Sequence, residues 1–337
     1  MKKLALANLP TKIQRLTRWS EECGKNIWIK RDDQTGTEWS GNKIRKLEFA
    51  AQEAQEWGCN LLITCGGIQS NHCRATVAVA THLGMKSAVL LRISEEPPVE
   101  GNYFLDRLLG ADVRFCTRDE YRDHRGEIMQ EMAEQYAAQG YRPYVIPEGA
   151  SFGVGVLGYY NAMQEIVAQE HALGVHFDTI VVATGSGGTL AGLQLANLVK
   201  GYGKRVIGVC VCDDAAYFQD VAVRISRDAL LYLVEQGELS EKEAALWGAS
   251  LEPADFEFFE EYVGIGYALS RPEELEHIKR MARLEATVFD PVYTGKATYG
   301  MVNELREGGR LRSSENILFI HTGGLYGLFP ISRTFPL

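Results

Sequence analysis

An α/β fold of two lobes, each with a mainly parallel sheet flanked by helices, is predicted by three features of the sequence. Short apolar runs alternate with helical periods along most of the chain. Several of those runs end in glycine-rich loops that open into a helix, as parallel strands do in open α/β sheets. At 337 residues, 46% of them hydrophobic, the chain is too long for one ordinary core and has apolar material for two.

The first helix follows Ser40-Gly41-Asn42. Apolar residues recur at Ile44, Leu47, Ala50, Ala51, Ala54 and Trp57, and Ser40 and Asn42 are N-cap candidates. Lys43 then stands at the positive end of the helix dipole, where a cation loses its proton more readily and an amine becomes a usable nucleophile. The competing reading is a solvated basic face of Lys43, Arg45 and Lys46. A strand over 60–65, the loop Gly66-Gly67-Ile68-Gln69-Ser70-Asn71-His72, a helix over 75–83 and a strand over 87–93 complete a βαβ unit. The pattern repeats with a helix at 103–109, a strand at 112–116, a helix at 120–138 and a strand at 144–147. Pro97-Pro98 among glutamates marks a surface loop. A helix over 157–173, a strand over 179–183, the loop Thr184-Gly185-Ser186-Gly187-Gly188-Thr189, a helix over 190–199 and a strand over 205–212 follow. The remainder reads as helical text over 217–247, an irregular aromatic stretch over 253–267, helices at 273–284 and 296–306, and a last strand at 316–322. The lobe seam is expected near Lys46 and again near Gly158.

A net charge of -9 without a basic block argues against nucleic acid or an anionic membrane as partner and favours a small molecule. Met1-Lys2-Lys3 looks like the start of a signal peptide, but the apolar run ends at Pro10 without a small-residue cleavage site, so a cytoplasmic protein is expected. The seven cysteines form no C-x-x-C pair, and no metal site is expected.

The loop from Thr184 to Thr189, between an apolar strand and a helix, lets backbone N–H groups close around a phosphate. It lacks the lysine of a P-loop and the spacing of a dinucleotide fingerprint, so a lone phosphate fits it; a tight structural turn is the alternative. Gly153-Val154-Gly155-Val156-Leu157-Gly158 does match G-x-G-x-x-G, but a polar loop precedes it instead of a strand, which makes it a decoy. Ser70, Asn71 and His72 suit a carboxylate at a helix start, although capping explains the first two and a structural role the third. Tyr293 and Thr294, at the junction Asp290-Pro291-Val292-Tyr293-Thr294-Gly295-Lys296, offer an acid–base group and a hydroxyl, or turn chemistry alone. His321-Thr322-Gly323-Gly324 closes the last strand as a cofactor-lining loop would.

Together these segments resemble the D-cysteine desulfhydrase and 1-aminocyclopropane-1-carboxylate (ACC) deaminase family of pyridoxal 5'-phosphate (PLP) enzymes, of the tryptophan-synthase-β-like fold, PLP fold type II. The anchors, in order, are Lys30-Arg31-Asp32-Asp33, Gly41-Asn42-Lys43-Ile44-Arg45-Lys46-Leu47-Glu48, Gly67-Ile68-Gln69-Ser70-Asn71, Thr184-Gly185-Ser186, the 290–296 junction and His321-Thr322-Gly323-Gly324. The resemblance implies a large PLP-binding domain of residues 1–46 and 158–337, a small domain of residues 47–157, and a homodimer. It implies that Lys43 carries PLP as a Schiff base and moves the α-proton, with Asn42 beside it. The loop of Thr184, Gly185, Ser186, Gly187, Gly188 and Thr189 would hold the phosphate. Asn71 would bond the cofactor's phenolic oxygen, Ser70, Asn71 and His72 would hold the substrate carboxylate, and Tyr267 and Tyr293 match two active-site tyrosines.

Where the deaminases resemble Asp-Pro-Val-Tyr-Glu, this chain has Thr294, a neutral partner for the pyridine nitrogen, and Thr322 stands where they carry leucine. A glutamate keeps that nitrogen protonated and the ring a strong electron sink, which opening a cyclopropane demands; expelling a thiolate, whose acid has a pKa of about 8.5, needs less. The resemblance therefore implies β-elimination, with D-cysteine as leading substrate and ACC, L-cysteate or D-serine as alternatives. Two departures stand against the family pattern. Gly266-Tyr267-Ala268-Leu269-Ser270 lacks the usual glycine after the tyrosine and the proline beyond it, and the segment 95–102 is short. A nucleotide-dependent oxidoreductase built on 153–158 and a catalytically silent carboxylate-binding protein are the rivals. Trp19, Trp28 and Trp39 belong either in the core or at a subunit interface.

Overall fold

The computed structural model describes residues 1–335. Its strands are β1 (Ile13–Arg15), β2 (Asn26–Lys30), β3 (Leu61–Gly67), β4 (Lys86–Arg92), β5 (Asp112–Cys116), β6 (Pro143–Val145), β7 (Thr179–Thr184), β8 (Arg205–Cys210), β9 (Glu257–Phe259) and β10 (Asn316–Ile320). They form two sheets. One has the order β1-β2-β10-β7-β8-β9 and is parallel except for the β1–β2 pair; the other, β5-β4-β3-β6, is parallel throughout. The smaller sheet comes entirely from the middle of the chain, while the larger one takes strands from both ends.

The helices are α1 (Thr17–Cys23), α2 (Lys43–Glu56), α3 (Asn71–His82), α4 (Gly101–Leu108), α5 (Arg118–Ala138), α6 (Gly153–Leu173), α7 (Gly188–Lys200), α8 (Ala215–Glu235), α9 (Glu241–Ser250), α10 (Pro272–Glu285), α11 (Thr294–Glu304) and α12 (Leu325–Leu328). The predicted middle elements reappear within a few residues of their expected ends. The expected helical text over 217–247 is two helices, because Gly237 turns the chain at φ +72° and Ser240 with Glu243 forms a capping box that starts α9. The stretch expected to be irregular holds β9, and the first 42 residues hold β1, α1 and β2. In β2, Ile27 and Ile29 are buried on one face, and Trp28 packs against Phe177 while Lys30 is fully buried, so no polar face marks the strand. Among the described residues, no helix is long and apolar enough to cross a membrane.

Two readings of short motifs are settled by packing. Gly153 to Gly158 lie in the first turns of α6, where the glycines permit close approach of backbone: a Cβ on Gly158 would stand 2.5 Å from the carbonyl oxygen of Arg45 in α2. The motif is a helix-packing surface, not a nucleotide loop. The basic face is overturned too, since Arg45 and Lys46 are buried. Arg45 donates from Nε and Nη2 to the two carboxylate oxygens of Asp32, both at 2.8 Å, and from Nη1 to Glu165 at 2.9 Å, pinning α2 between the β2 end and α6. The guanidinium holds the Asp32 carboxyl down at about 2 against the opposing, larger effect of its burial. Trp19 is buried and Trp28 and Trp39 half-buried in the core; the exposed tryptophan is Trp57, at 65%.

Candidate active site

Three helix starts converge on one recess. α3 and α7 each begin just beyond the carboxyl end of a parallel strand, β3 and β7, and α2 begins at Lys43 beside the end of β10, where Asn42 N–H donates to the Thr322 carbonyl at 3.2 Å. Asn42, the expected cap of α2, does not cap it. Its side chain instead reaches the start of α7 and donates from Nδ2 to Thr189 Oγ1 at 3.0 Å, which ties the two helix starts together. The recess holds about 450 Å³ of empty space including its open mouth. Asn42, Lys43, Asn71, His72, Thr184, Gly185, Ser186, Gly187, Thr189, Tyr293 and Thr322 line it. Three positive helix ends around one cavity make it a place for anionic groups.

Lys43 is half-buried, and the loss of hydration lowers its amine to about 8, against an opposing pull from Glu148. Burial is the largest cause. Lys46 lies fully buried one turn on, with Nζ donating to the Gly149 carbonyl at 3.2 Å.

The glycine loop closes over a cradle that side chains would fill. Gly187 has φ +81°, and a Cβ on Gly188 would stand 2.6 Å from Ser151 Oγ and 2.9 Å from Lys46 Nζ. Gly188 N–H donates to Ser151 Oγ at 3.1 Å, and Ser151 donates to Ser186 Oγ at 2.8 Å. Gly149, at φ +66°, leaves room for both Ser186 and the Lys43 amine, 3.2 Å from where its Cβ would be. Sequence reasoning missed Gly149, Ser151 and Lys46. The signal for Gly149 and Ser151 was the position of 147–151 just beyond a parallel strand, the place where open α/β sheets build ligand loops.

The other expected residues divide. Ser70 caps α3, accepting from Cys73 N–H at 3.1 Å, and lies behind the wall formed by Asn71 and His72. His72 Nε2 lies 2.8 Å from Thr64 Oγ1, and burial drives its pKa well below the usual range, so the imidazole is neutral. Tyr293 is in the wall, and Tyr267 stands directly behind it, hydroxyl to hydroxyl at 2.6 Å. Ala268, which stands directly after Tyr267, is held at φ +60°, in the left-handed region that glycine favours. Thr294 is outside the recess wall. Its hydroxyl donates to Asp290 Oδ1 at 2.7 Å and accepts from Asp290 N–H at 2.8 Å, fixing the start of α11. Of Thr294 and Thr322, it is Thr322 that lines the recess.

The sequence matches the family described as pyridoxal-phosphate dependent enzyme over residues 4–323. The chain belongs to that family. Among its relatives, the bifunctional D-cysteine desulfhydrase/1-aminocyclopropane-1-carboxylate deaminase, mitochondrial, of Arabidopsis thaliana is 40% identical over 333 residues, covering 96% of this chain and 79% of the plant protein. A solved ACC deaminase homologue superposes with a TM-score of 0.86 at 36% identity, covering 98% of this chain and 94% of the other. A solved threonine deaminase, at 20% identity and a TM-score of 0.61 over 93% of this chain and 92% of that one, shares the fold. The architecture is the type II fold of PLP enzymes, and the cofactor of this PLP enzyme is pyridoxal 5'-phosphate. Its site fits that group: a glycine loop at the α7 start that lines the recess together with Ser186 and Thr189, for a phosphate, and the Lys43 amine of lowered basicity in the same recess.

Proposed function

We propose that the protein is a PLP-dependent lyase that removes the β-substituent of a small amino acid by α,β-elimination, with D-cysteine and water converted to pyruvate, ammonia and sulfide. The observation that carries this reading is the pairing, in one recess, of a lysine amine near neutral basicity with a threonine hydroxyl, Thr322, at the end of β10. In this reading Lys43 binds the cofactor covalently, Asn42 and the loop 184–189 position its phosphate, and Asn71 meets its ring oxygen. Thr322 takes the place beside the ring nitrogen that the family pattern suggests for Thr294, whose hydroxyl is engaged with Asp290. PLP supplies the electron sink that weakens bonds at the substrate's α-carbon.

Lys43 has an amine basic enough to take the α-proton of a bound substrate and weak enough to be unprotonated in part near neutral pH. Asn71 and His72 at the α3 start orient the substrate carboxylate, helped by the helix dipole, with Ser70 capping the helix behind them. The Cβ–S bond breaks with its electron pair on sulfur, and the Tyr293 hydroxyl, kept protonated by burial, can donate to the departing thiolate. A hydroxyl beside the ring nitrogen leaves the sink weaker than a carboxylate would, which suffices for a leaving group of pKa about 8.5. L-Cysteate, D-serine and ACC are the alternative substrates. Residues 1–46 with 158–337 form the cofactor-binding domain and 47–157 the smaller one, a division that strand membership in the two sheets supports. A cytoplasmic homodimer completes the reading.

The test is to incubate the PLP-loaded enzyme separately with D-cysteine, L-cysteine, L-cysteate, D-serine and ACC, and to assay pyruvate, 2-oxobutanoate and sulfide. Sulfide and pyruvate in equal amounts from D-cysteine are expected; 2-oxobutanoate from ACC as the dominant product would overturn the preference for elimination.

A further inference from the structure

A side chain directly behind the recess wall decides how Asn71 presents itself. Asn102, at the start of α4, is fully buried, as is Arg74 in α3. Arg74 Nε donates to the side-chain oxygen of Asn102 at 2.8 Å, and a guanidinium has no lone pair to accept with, so this oxygen is identified by its partner. The Asn102 nitrogen must then be the atom that donates to the Gln69 carbonyl at 2.9 Å and to Asn71 Oδ1 at 3.0 Å. Its backbone N–H is tied as well, to Gln69 Oε1 at 2.8 Å. Turning the Asn102 amide over would set N–H against guanidinium and oxygen against two oxygens, so its orientation is locked. Arg74 is held in turn by the Ser40 carbonyl, at 2.8 Å, three residues before Lys43.

We propose that Asn102, oriented by Arg74, is a positioning residue that fixes the Asn71 amide with its oxygen inward and its nitrogen toward the recess, so that Asn71 meets the cofactor as a hydrogen-bond donor. With its oxygen engaged by Asn102, Asn71 has only its NH₂ group left to offer. A donor is what the negatively charged ring oxygen of PLP requires; an amide oxygen at that point would repel it. The inference rests on the proposed placement of Asn71 beside that oxygen.

The discriminating change is Asn102→Asp. The new carboxylate still accepts from Arg74, but its second oxygen faces Asn71 where an N–H stood, and Asn71 satisfies it only by rotating, which brings Oδ1 into the recess. The holoenzyme is compared with Asn71→Ala, Lys43→Ala and the Asn71→Ala/Asn102→Asp double variant, by PLP affinity and by the position of the cofactor's visible absorption band. Asn102→Asp is expected to weaken PLP binding about tenfold or more, the effect of turning one charge-assisted hydrogen bond into a repulsion, and to displace the band. In the Asn71→Ala background it should add nothing to the band shift. Asn102→Ala, which removes the lock without adding charge, should give a smaller shift of the same sign, and decides the matter if the aspartate variant does not fold. An unchanged band and affinity in both Asn102 variants, beside a shifted Asn71→Ala, overturns the positioning role and leaves the site reading intact. A Lys43→Ala protein that keeps the wild-type band would instead overturn the site reading itself.

Discussion

The hydroxyls of Tyr267 and Tyr293 lie 2.6 Å apart, although 26 residues separate them in the chain and only Tyr293 faces the recess. Within such a pair one O–H donates and the other proton stays available; in the proposed mechanism Tyr267 donates, orienting Tyr293 and leaving the Tyr293 proton for the departing group. Burial raises both phenols, which keeps them proton donors at neutral pH. Removing the hydroxyl that faces the substrate should therefore cost more than removing its support. Tyr293→Phe is expected to lower kcat about 10²–10⁴-fold, the range for loss of a general acid, and Tyr267→Phe about tenfold, the worth of one hydrogen bond. Steady-state pyruvate formation checks both, and an equal or larger loss in Tyr267→Phe would sink this division of roles.

Lys43 supplies a prediction in pH. An ordinary lysine releases its proton at a pH of about 10.4, whereas burial brings this amine to about 8, so its nucleophilic fraction rises as pH climbs through about 8. In protein stripped of PLP, trinitrobenzenesulfonate should modify Lys43 with a midpoint near that value while surface lysines respond only at higher pH. Peptide mapping of the labelled protein at a series of pH values reads this directly. A midpoint at the surface-lysine value would show that the amine is hydrated in the free enzyme.

The lysine's neighbourhood explains what the sequence could and could not disclose. Lys43 is legible because a helical period, a cap-like Asn42 and a family motif all meet there; the middle strands are legible because each is a continuous apolar run between glycine turns. Arg45 and Lys46 read as a solvated face, since their burial depends on Asp32, Glu165 and Gly149, 13 to 120 residues away. Thr294 looks like a ring partner from its place beside Tyr293, yet the Asp290 carboxylate, four residues earlier, claims its hydroxyl. Asn102 carries no local signal at all, because it matters only through atoms that the fold brings to it.

Thr294 and Thr322 can be separated by experiment. Thr294→Ala leaves Asp290 N–H and one carboxylate bond without a partner inside the protein, so about 1–3 kcal/mol of stability should be lost with little change in PLP affinity. Thr322→Ala should do the reverse, weakening PLP binding while hardly moving the melting temperature. Thr294→Glu brings a second carboxylate against the buried Asp290 and should destabilise the fold instead of strengthening the electron sink. Thermal melts and PLP titrations of the three variants decide it; increased elimination by Thr294→Glu at unchanged stability would restore Thr294 to the ring.

Gly158 gives the last prediction, and its sign runs against helix propensity. In an exposed helix, glycine to alanine gains roughly 1 kcal/mol. At Gly158 the added methyl would stand 2.5 Å from the Arg45 carbonyl oxygen and 2.7 Å from the Lys46 nitrogen, both backbone atoms that no rotamer change can move aside. α2 would have to shift away from α6, at a cost of about 1–3 kcal/mol for an overpacked contact, and Lys43 sits in the first turn of the displaced helix. Gly158→Ala should therefore lower the melting temperature by a few degrees and reduce PLP affinity together. Gly237→Ala serves as the control: it carries the same chemical change at φ +72° in open space, and should cost stability through backbone strain without touching the cofactor. If Gly158→Ala proved as stable as the parent and bound PLP equally well, Gly158 would not be the seat of the α2–α6 contact that places Lys43.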